Sequence, residues 1–269
     1  MKIAFIGGGN MARALIGGLI RNNFLATNIL VVELNAETRL KLVNDFGVTS
    51  QAEITPQLSN VDVIIFAIKP QDLRTTAQSL QPYLKTQLII SIAAGIRALN
   101  LANWLGNYTK IIRCMPNTPA LIGLGVTGLV ALPSVTTTDK ERATQILAAV
   151  GQSVWLEEEQ QLDAVTAISG SGPAYVFYFI EAMQAAALQM GLDADQANVL
   201  ILGTFLGATQ LAIQSEEAVS ILRERVTSKG GTTAAALNSM NENNLQQKII
   251  MALEAAKQRA VELGDELAR

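Results

Sequence analysis

The chain has 269 residues and 49% hydrophobic residues, enough to build one large or two moderate cores. Its 20 basic and 23 acidic residues give a formal net charge of -3 and fall in no basic run and no like-sign run longer than Glu157-Glu158-Glu159, which excludes a nucleic-acid or polybasic membrane surface. The single cysteine, Cys114, excludes an internal disulfide framework and suits a reducing compartment, and the start Met1-Lys2-Ile3-Ala4-Phe5 lacks a leader layout, so a cytoplasmic protein is expected.

In chain order, short β-branched runs at 3–6, 29–32, 63–66, 88–92 and 110–113 read as strands. Segments 10–23, 36–46, 72–80 and 97–105 read as helices between them. A helix near 138–150 and a strand near 153–156 close this half. Such alternation predicts an α/β fold, a Rossmann-type doubly wound parallel sheet. From about Gln161 strand signals stop, and helices are expected at 174–190, 194–214, 216–226, 232–241 and 245–267. The expected division is a dinucleotide-binding domain over 1–160 and an all-helical substrate-binding and dimerisation domain over 161–269. The runs 174–188 and 199–213 are apolar on most faces but interrupted by Glu181, Thr204, Thr209 and Gln210. A membrane span is longer and cleaner, so these helices call for burial against another subunit rather than a bilayer.

Directly after the first strand, which ends at Ile6, stands Gly7-Gly8-Gly9-Asn10-Met11-Ala12. Gly7 permits a tight turn, Gly9 lets a pyrophosphate approach the backbone, and Ala12 keeps the next helix close to the sheet. Glu33, at the end of the second strand, is placed to bind an adenosine ribose diol, which favours NAD. Asn35, Thr38 and Arg39 follow and suit a 2′-phosphate, so the two signals conflict. Ala67-Ile68-Lys69-Pro70 ends another strand at the sheet's carboxyl edge; Lys69 reads equally as a cofactor neighbour and as a solvated loop lysine. Ala93-Ala94-Gly95 ends the next with small residues that leave room for a nicotinamide ribose.

The chain contains no histidine. That excludes a Ser-His-Asp triad and a histidine metal site, one cysteine builds no thiolate cluster, and no metal is expected. Reduction of an imine fits this inventory, because a C=N bond is protonated near neutrality and hydride transfer then needs mainly positioning. Between two helical segments lies Leu222-Arg223-Glu224-Arg225-Val226-Thr227-Ser228-Lys229-Gly230-Gly231-Thr232-Thr233. Its glycines turn the backbone and expose N–H groups, Thr232 or Thr233 is expected to cap a helix from about Ala234, and the nest of donors suits a carboxylate.

With Arg113-Cys114-Met115-Pro116-Asn117-Thr118-Pro119 and Ser169-Gly170-Ser171-Gly172-Pro173-Ala174-Tyr175, these motifs make the whole chain resemble the Δ1-pyrroline-5-carboxylate reductase family. The family pattern usually reads Ser-Pro-Gly-Gly where Lys229 stands here, a departure that touches the rigidity of the substrate loop. The resemblance implies NAD(P)H-dependent reduction of L-1-pyrroline-5-carboxylate to L-proline, the last step of proline biosynthesis, with NADP as cofactor and NAD also accepted. It implies that Ser228, Gly230, Gly231, Thr232 and Thr233 hold the substrate carboxylate and that the Thr233 hydroxyl lies near the imine nitrogen. Glu216 matches an acidic position near the ring nitrogen; a carboxylate at a helix N-terminus reads as well. Asn117 and Thr166 would line the junction near the nicotinamide, although Thr166 also reads as a helix hydroxyl bonded to its own backbone. The family's helical domains interlock as homodimers that assemble further, often into decamers. Two other readings compete. A 3-hydroxy-acid dehydrogenase of the same architecture needs a catalytic lysine in the second half, where besides Lys229 only Lys248 and Lys257 occur, on the last helix. A non-catalytic NADP-binding sensor is opposed by the intact Thr233 loop.

Overall fold

The computed structural model describes residues 1–267. The α/β part runs β1 (Ile3–Ile6), α1 (Asn10–Arg21), β2 (Ile29–Val32), α2 (Ala36–Phe46), β3 (Thr49–Gln51), β4 (Val63–Phe66), α3 (Pro70–Leu80) and β5 (Leu88–Ser91). It continues through α4 (Ala98–Trp104), β6 (Ile111–Met115), β7 (Gly125–Ala131), α5 (Thr137–Ala148), β8 (Gly151–Trp155) and α6 (Gln161–Val165). The strands form one eight-stranded sheet in the order β3-β2-β1-β4-β5-β6-β7-β8, parallel except where β7 runs against β6.

Residues of β1, β4 and β5 are buried on both faces, as continuous apolar strands under two layers of helix must be. Successive side chains alternate between the layers. Ile3, Phe5, Ile65 and Ile90 join α1, Leu42 of α2 and Ile146 of α5 in one core. Ala4, Ile64, Phe66 and Ile89 join Leu73 of α3 and Leu101 of α4 in the other. Local caps agree with this frame. Asn35 accepts from the Thr38 backbone to start α2, Gly47 ends it in the left-handed region at φ +67°, and Thr136 with Asp139 forms a capping box on α5.

Two strands escape sequence patterning. β3 has only three residues, and β7 (GVTGLVA) is diluted by Gly125 and Gly128. The helix expected at 216–226 starts three residues later, as α9 (Val219–Arg225).

After a π-helical turn at Thr166–Gly170 come α7 (Gly172–Gln189), α8 (Ala194–Gln214), α9, α10 (Thr232–Glu242) and α11 (Leu245–Leu267). By contact density the chain forms two compact units, one of Met1–Pro173 with the chain from Ala255 onward, the other Ala174–Glu254. That division falls later than residue 160 and returns the end of α11 to the first unit. The second unit's buried apolar cluster is only Ala187, Ala197 and Ile201, with Ile180 and Phe205 packed against it. Phe177 (61%), Tyr178 (70%), Val199 (75%) and Leu206 (63%) stay exposed, too much apolar surface for helices that work alone. By length and composition α8 is also apolar enough to cross a membrane.

Candidate functional site

The carboxyl ends of β1, β2 and β4 open into a cavity of about 940 Å³ lined by Ile6, Gly7, Gly8, Gly9, Glu33, Ala67, Ile68 and Lys69. This is the crevice at which open α/β sheets hold ligands, where the strand order reverses about β1. Gly7 sits at φ +100°, and a Cβ there would lie 2.5 Å from the Ala67 carbonyl oxygen, so only glycine fits the turn. Gly9 differs. A Cβ on it would meet nothing within 4 Å, and its φ -68°, ψ -173° is open to any residue. Nothing within the fold demands glycine at that position.

The Glu33 carboxylate is held by backbone donors, with Oε2 accepting from Gly8 N at 2.8 Å and Oε1 from Asn35 N at 2.8 Å. Arg39 Nη1 donates to the carbonyls of Glu33 (2.7 Å) and Leu34 (2.8 Å), so its guanidinium braces the β2–α2 turn from inside. Asn35 is occupied as the α2 cap.

Several expected cofactor residues lie off the cavity wall. Asn10, Met11 and Ala12 occupy the first turn of α1, with Ala12 fully buried. Pro70 opens α3, and Ala93, Ala94 and Gly95 lie beyond β5. Conversely, the wall contains residues that patterning did not single out: Ala52, Glu53 and Ile54 after β3, and Gln71, Asp72, Thr75, Thr76 and Ser79 on one face of α3. The four-residue spacing of that polar face was readable, but a ligand-facing stripe and a solvated one look alike in sequence.

Asn117 and Thr166 are tied into the α/β unit itself. Pro173 has no N–H, so an α-helix through it would leave the Ser169 carbonyl without its donor. The helix instead widens to a π turn, with Ser171 N bonded to Thr166 O at 2.8 Å. Asn117 Nδ2 supplies the missing donor to Ser169 O at 3.3 Å and to Ser169 Oγ at 3.1 Å, while its Oδ1 accepts from Val126 N. Thr166 Oγ1 donates to Leu162 O at 2.8 Å, the internal helix bond open to it in sequence. Cys114 is buried, which pushes its thiol far above the ordinary range and removes thiolate chemistry. Among the described residues no group of three His, Cys, Asp or Glu side chains is arranged around a metal position.

Glu216, Ser228, Gly230, Gly231, Thr232 and Thr233 belong to the helical unit. The cap of α10 is Gly231, not Thr232 or Thr233, which occupy its first turn and make no capping bond. The reason is steric. A Cβ on Gly231 would lie 2.5 Å from Ser228 Oγ, so the chain folds Ser228 against a bare cap, with Gly231 N donating to Ser228 O at 3.1 Å. Gly230 carries φ +74° to make that turn. The first intrahelical bond runs from Ala235 N to Gly231 O, so the N–H groups of Thr232, Thr233 and Ala234 emerge at the helix start with no acceptor in their own helix. Glu216 lies exposed in a bend before α9 rather than on a helix N-terminus. The adjoining Glu217 carboxylate pairs with Arg225 at 2.6 Å.

Residues 159–263 match the family model described as pyrroline-5-carboxylate reductase dimerisation, and residues 2–95 match NADP oxidoreductase, coenzyme F420-dependent. The chain is 45% identical to a pyrroline-5-carboxylate reductase of Pseudomonas aeruginosa over 99% of its own length and 98% of that protein's. The solved pyrroline-5-carboxylate reductase of Coxiella burnetii is similar at a TM-score of 0.92 and 39% identity, covering 97% of this chain and 98% of that one. The Plasmodium falciparum pyrroline carboxylate reductase with NADP bound has a TM-score of 0.88 at 30% identity over 98% of both chains.

Proposed function

The chain belongs to the pyrroline-5-carboxylate reductase family, and from that premise we propose how its residues carry the reduction of L-1-pyrroline-5-carboxylate to L-proline with NADPH, NADH also being accepted. The observation that carries the residue assignment is the start of α10, where N–H groups and two threonine hydroxyls stand free of capping duty. A carboxylate meets there both donors and the positive end of the helix dipole. The Thr233 hydroxyl then holds the imine nitrogen or its proton, and Glu216 favours the protonated, more electrophilic form of the imine. In the α/β unit the cavity suits a dinucleotide: Gly9 leaves backbone bare where a pyrophosphate must approach, and Glu33 retains lone pairs for ribose hydroxyls. The bound dinucleotide supplies the hydride; the protein contributes mainly positioning, and with no histidine in the chain the acid–base help that the imine needs falls to Thr233 and Glu216. The test is oxidation of NADPH by the purified protein on addition of the pyrroline substrate. No oxidation above background in a folded sample would overturn the reading.

The Glu33 and Arg39 bonds bear on cofactor choice. A carboxylate fixed at the ribose repels a 2′-phosphate, with screening by water and salt moderating the effect. Glu33→Ser is expected to lower KM for NADPH and raise it for NADH. Arg39→Ala removes the brace on the Glu33 and Leu34 carbonyls together with a cation of the β2–α2 turn, and is expected to impair NADPH more than NADH. An unchanged ratio of the two kcat/KM values in both variants would mean that the ribose lies elsewhere.

The apolar faces of α7 and α8 are covered by a second copy, and the dimers assemble further, a decamer being the expected size, in the cytoplasm. Sedimentation should find no active monomer; a folded, active monomer on dilution would contradict this.

A further inference from the structure

Backbone bonds extend the sheet just past its strands, with Gly7 N to Val32 O (2.8 Å), Ala67 N to Ile6 O (2.8 Å) and Ile92 N to Phe66 O (3.2 Å). The loops carrying Glu33, Gly7, Ala67 and Ile92 therefore leave the carboxyl edge side by side in that order. With adenosine at Glu33 and the pyrophosphate at Gly7 to Gly9, the nicotinamide half extends toward the last of these loops, residues 92–97.

That loop is gripped by groups that the reaction does not use. Arg97 makes a two-pronged bond to Asp163, Nη1 to Oδ1 at 3.1 Å and Nη2 to Oδ2 at 2.9 Å, and the Asp163 side chain is 4% exposed. One residue on, Ala98 N donates to Glu159 Oε1 at 2.7 Å, and the same oxygen takes Arg113 Nη1 at 2.9 Å. A bidentate pair seated on a buried carboxylate fixes orientation as well as position. The last turns of α11 close over the other side. A Cβ on Gly264 would lie 3.1 Å from Arg97 Nη2 and 3.2 Å from its Nε, and one on Gly95 would lie 2.8 Å from Leu267 Cδ1. Glycine is disfavoured inside a helix, yet at Gly264 the guanidinium leaves little room for more.

We propose that Arg97, seated on Asp163 and covered by Gly264, is a positioning residue that sets loop 92–97 for the nicotinamide half of the cofactor. The assignment rests on the dinucleotide reading of the neighbouring cavity. It is specific to this arrangement of arginine and glycine and involves no contact between Arg97 and substrate.

The test compares Gly264→Ala, Arg97→Lys and the double variant, all in the full chain. Two ligands are titrated, NADPH and adenosine 2′,5′-bisphosphate, which carries the adenosine end but no nicotinamide. Gly264→Ala is expected to weaken NADPH about three- to tenfold, a typical cost of a crowded contact shifting a bound group, while the bisphosphate binds as in wild type. Arg97→Lys keeps a positive charge beside Asp163 but cannot make the two-pronged bond, so alone it is expected to weaken NADPH by a similar factor, about three- to tenfold, with the bisphosphate unchanged. Because both substitutions act through the same contact, the double variant should bind NADPH within about twofold of the weaker single variant. Binding is read without the imine, so the result does not depend on the substrate assigned above. Unchanged NADPH affinity in Gly264→Ala or in Arg97→Lys, equal weakening of both ligands, or fully additive losses in the double variant would each overturn the proposal.

Discussion

Thr233→Ala is expected to lower kcat by roughly ten- to a thousandfold, the range for losing one positioned donor at a reacting atom. The fold should hardly notice. Gly231, not the threonine, caps α10, and the Thr233 hydroxyl makes no capping bond whose loss would destabilise the helix. Removing it therefore costs well under the ~1 kcal/mol of a true cap. Thr233→Ser, which keeps the hydroxyl, should recover most of the activity. If kcat for the alanine variant matches wild type at equal melting temperature, the hydroxyl has no role at the imine and the substrate assignment for α10 falls.

Gly9→Ala should abolish useful cofactor binding while leaving the protein as stable as before. The added methyl meets no protein atom within 4 Å, and the backbone there is already in a region open to alanine. With the dinucleotide bound as proposed, the methyl would meet the pyrophosphate, and pushing it outward by about 1 Å should cost about a hundredfold in kcat/KM for the dinucleotide. Gly7→Ala makes the contrast. At φ +100°, with Ala67 O 2.5 Å from the new methyl and Ile68 Cγ2 2.6 Å, it must deform the β1–α1 turn and lose stability as well as binding. Thermal melting read beside dinucleotide titration separates the two. A Gly9→Ala variant that binds NADPH like wild type would move the pyrophosphate away from this loop.

These two glycines mark how far the sequence carries. Gly7 and Gly9 stand in one motif and look equivalent there, yet one is demanded by the fold and the other is free within it. The difference comes from Ala67 and Ile68, sixty residues away, brought alongside by pairing of β1 with β4. The sequence offers Glu33 as a candidate ribose ligand, but not its anchoring by Gly8 N, nor the diversion of Arg39 onto the Glu33 and Leu34 carbonyls. The loop before α10 was legible as a donor nest, whereas the choice of Gly231 as cap depended on where Ser228 folds.

By itself the sequence determined the alternation of strands and helices, the glycine turn ahead of α1, the change to all helix after about Gln161, and a chemistry without histidine. Those are local or compositional properties: hydrophobic period, turn residues and the list of available side chains. Only the tertiary structure decided the strand order, the reversed β7, the recruitment of residues 52–54 and one face of α3 to the cavity, and the use of Asn117 to satisfy the carbonyl that Pro173 frees. Each of these depends on which distant groups meet. A polar side chain shows its type in sequence, but whether it is already bonded is settled by neighbours that the chain brings in from elsewhere.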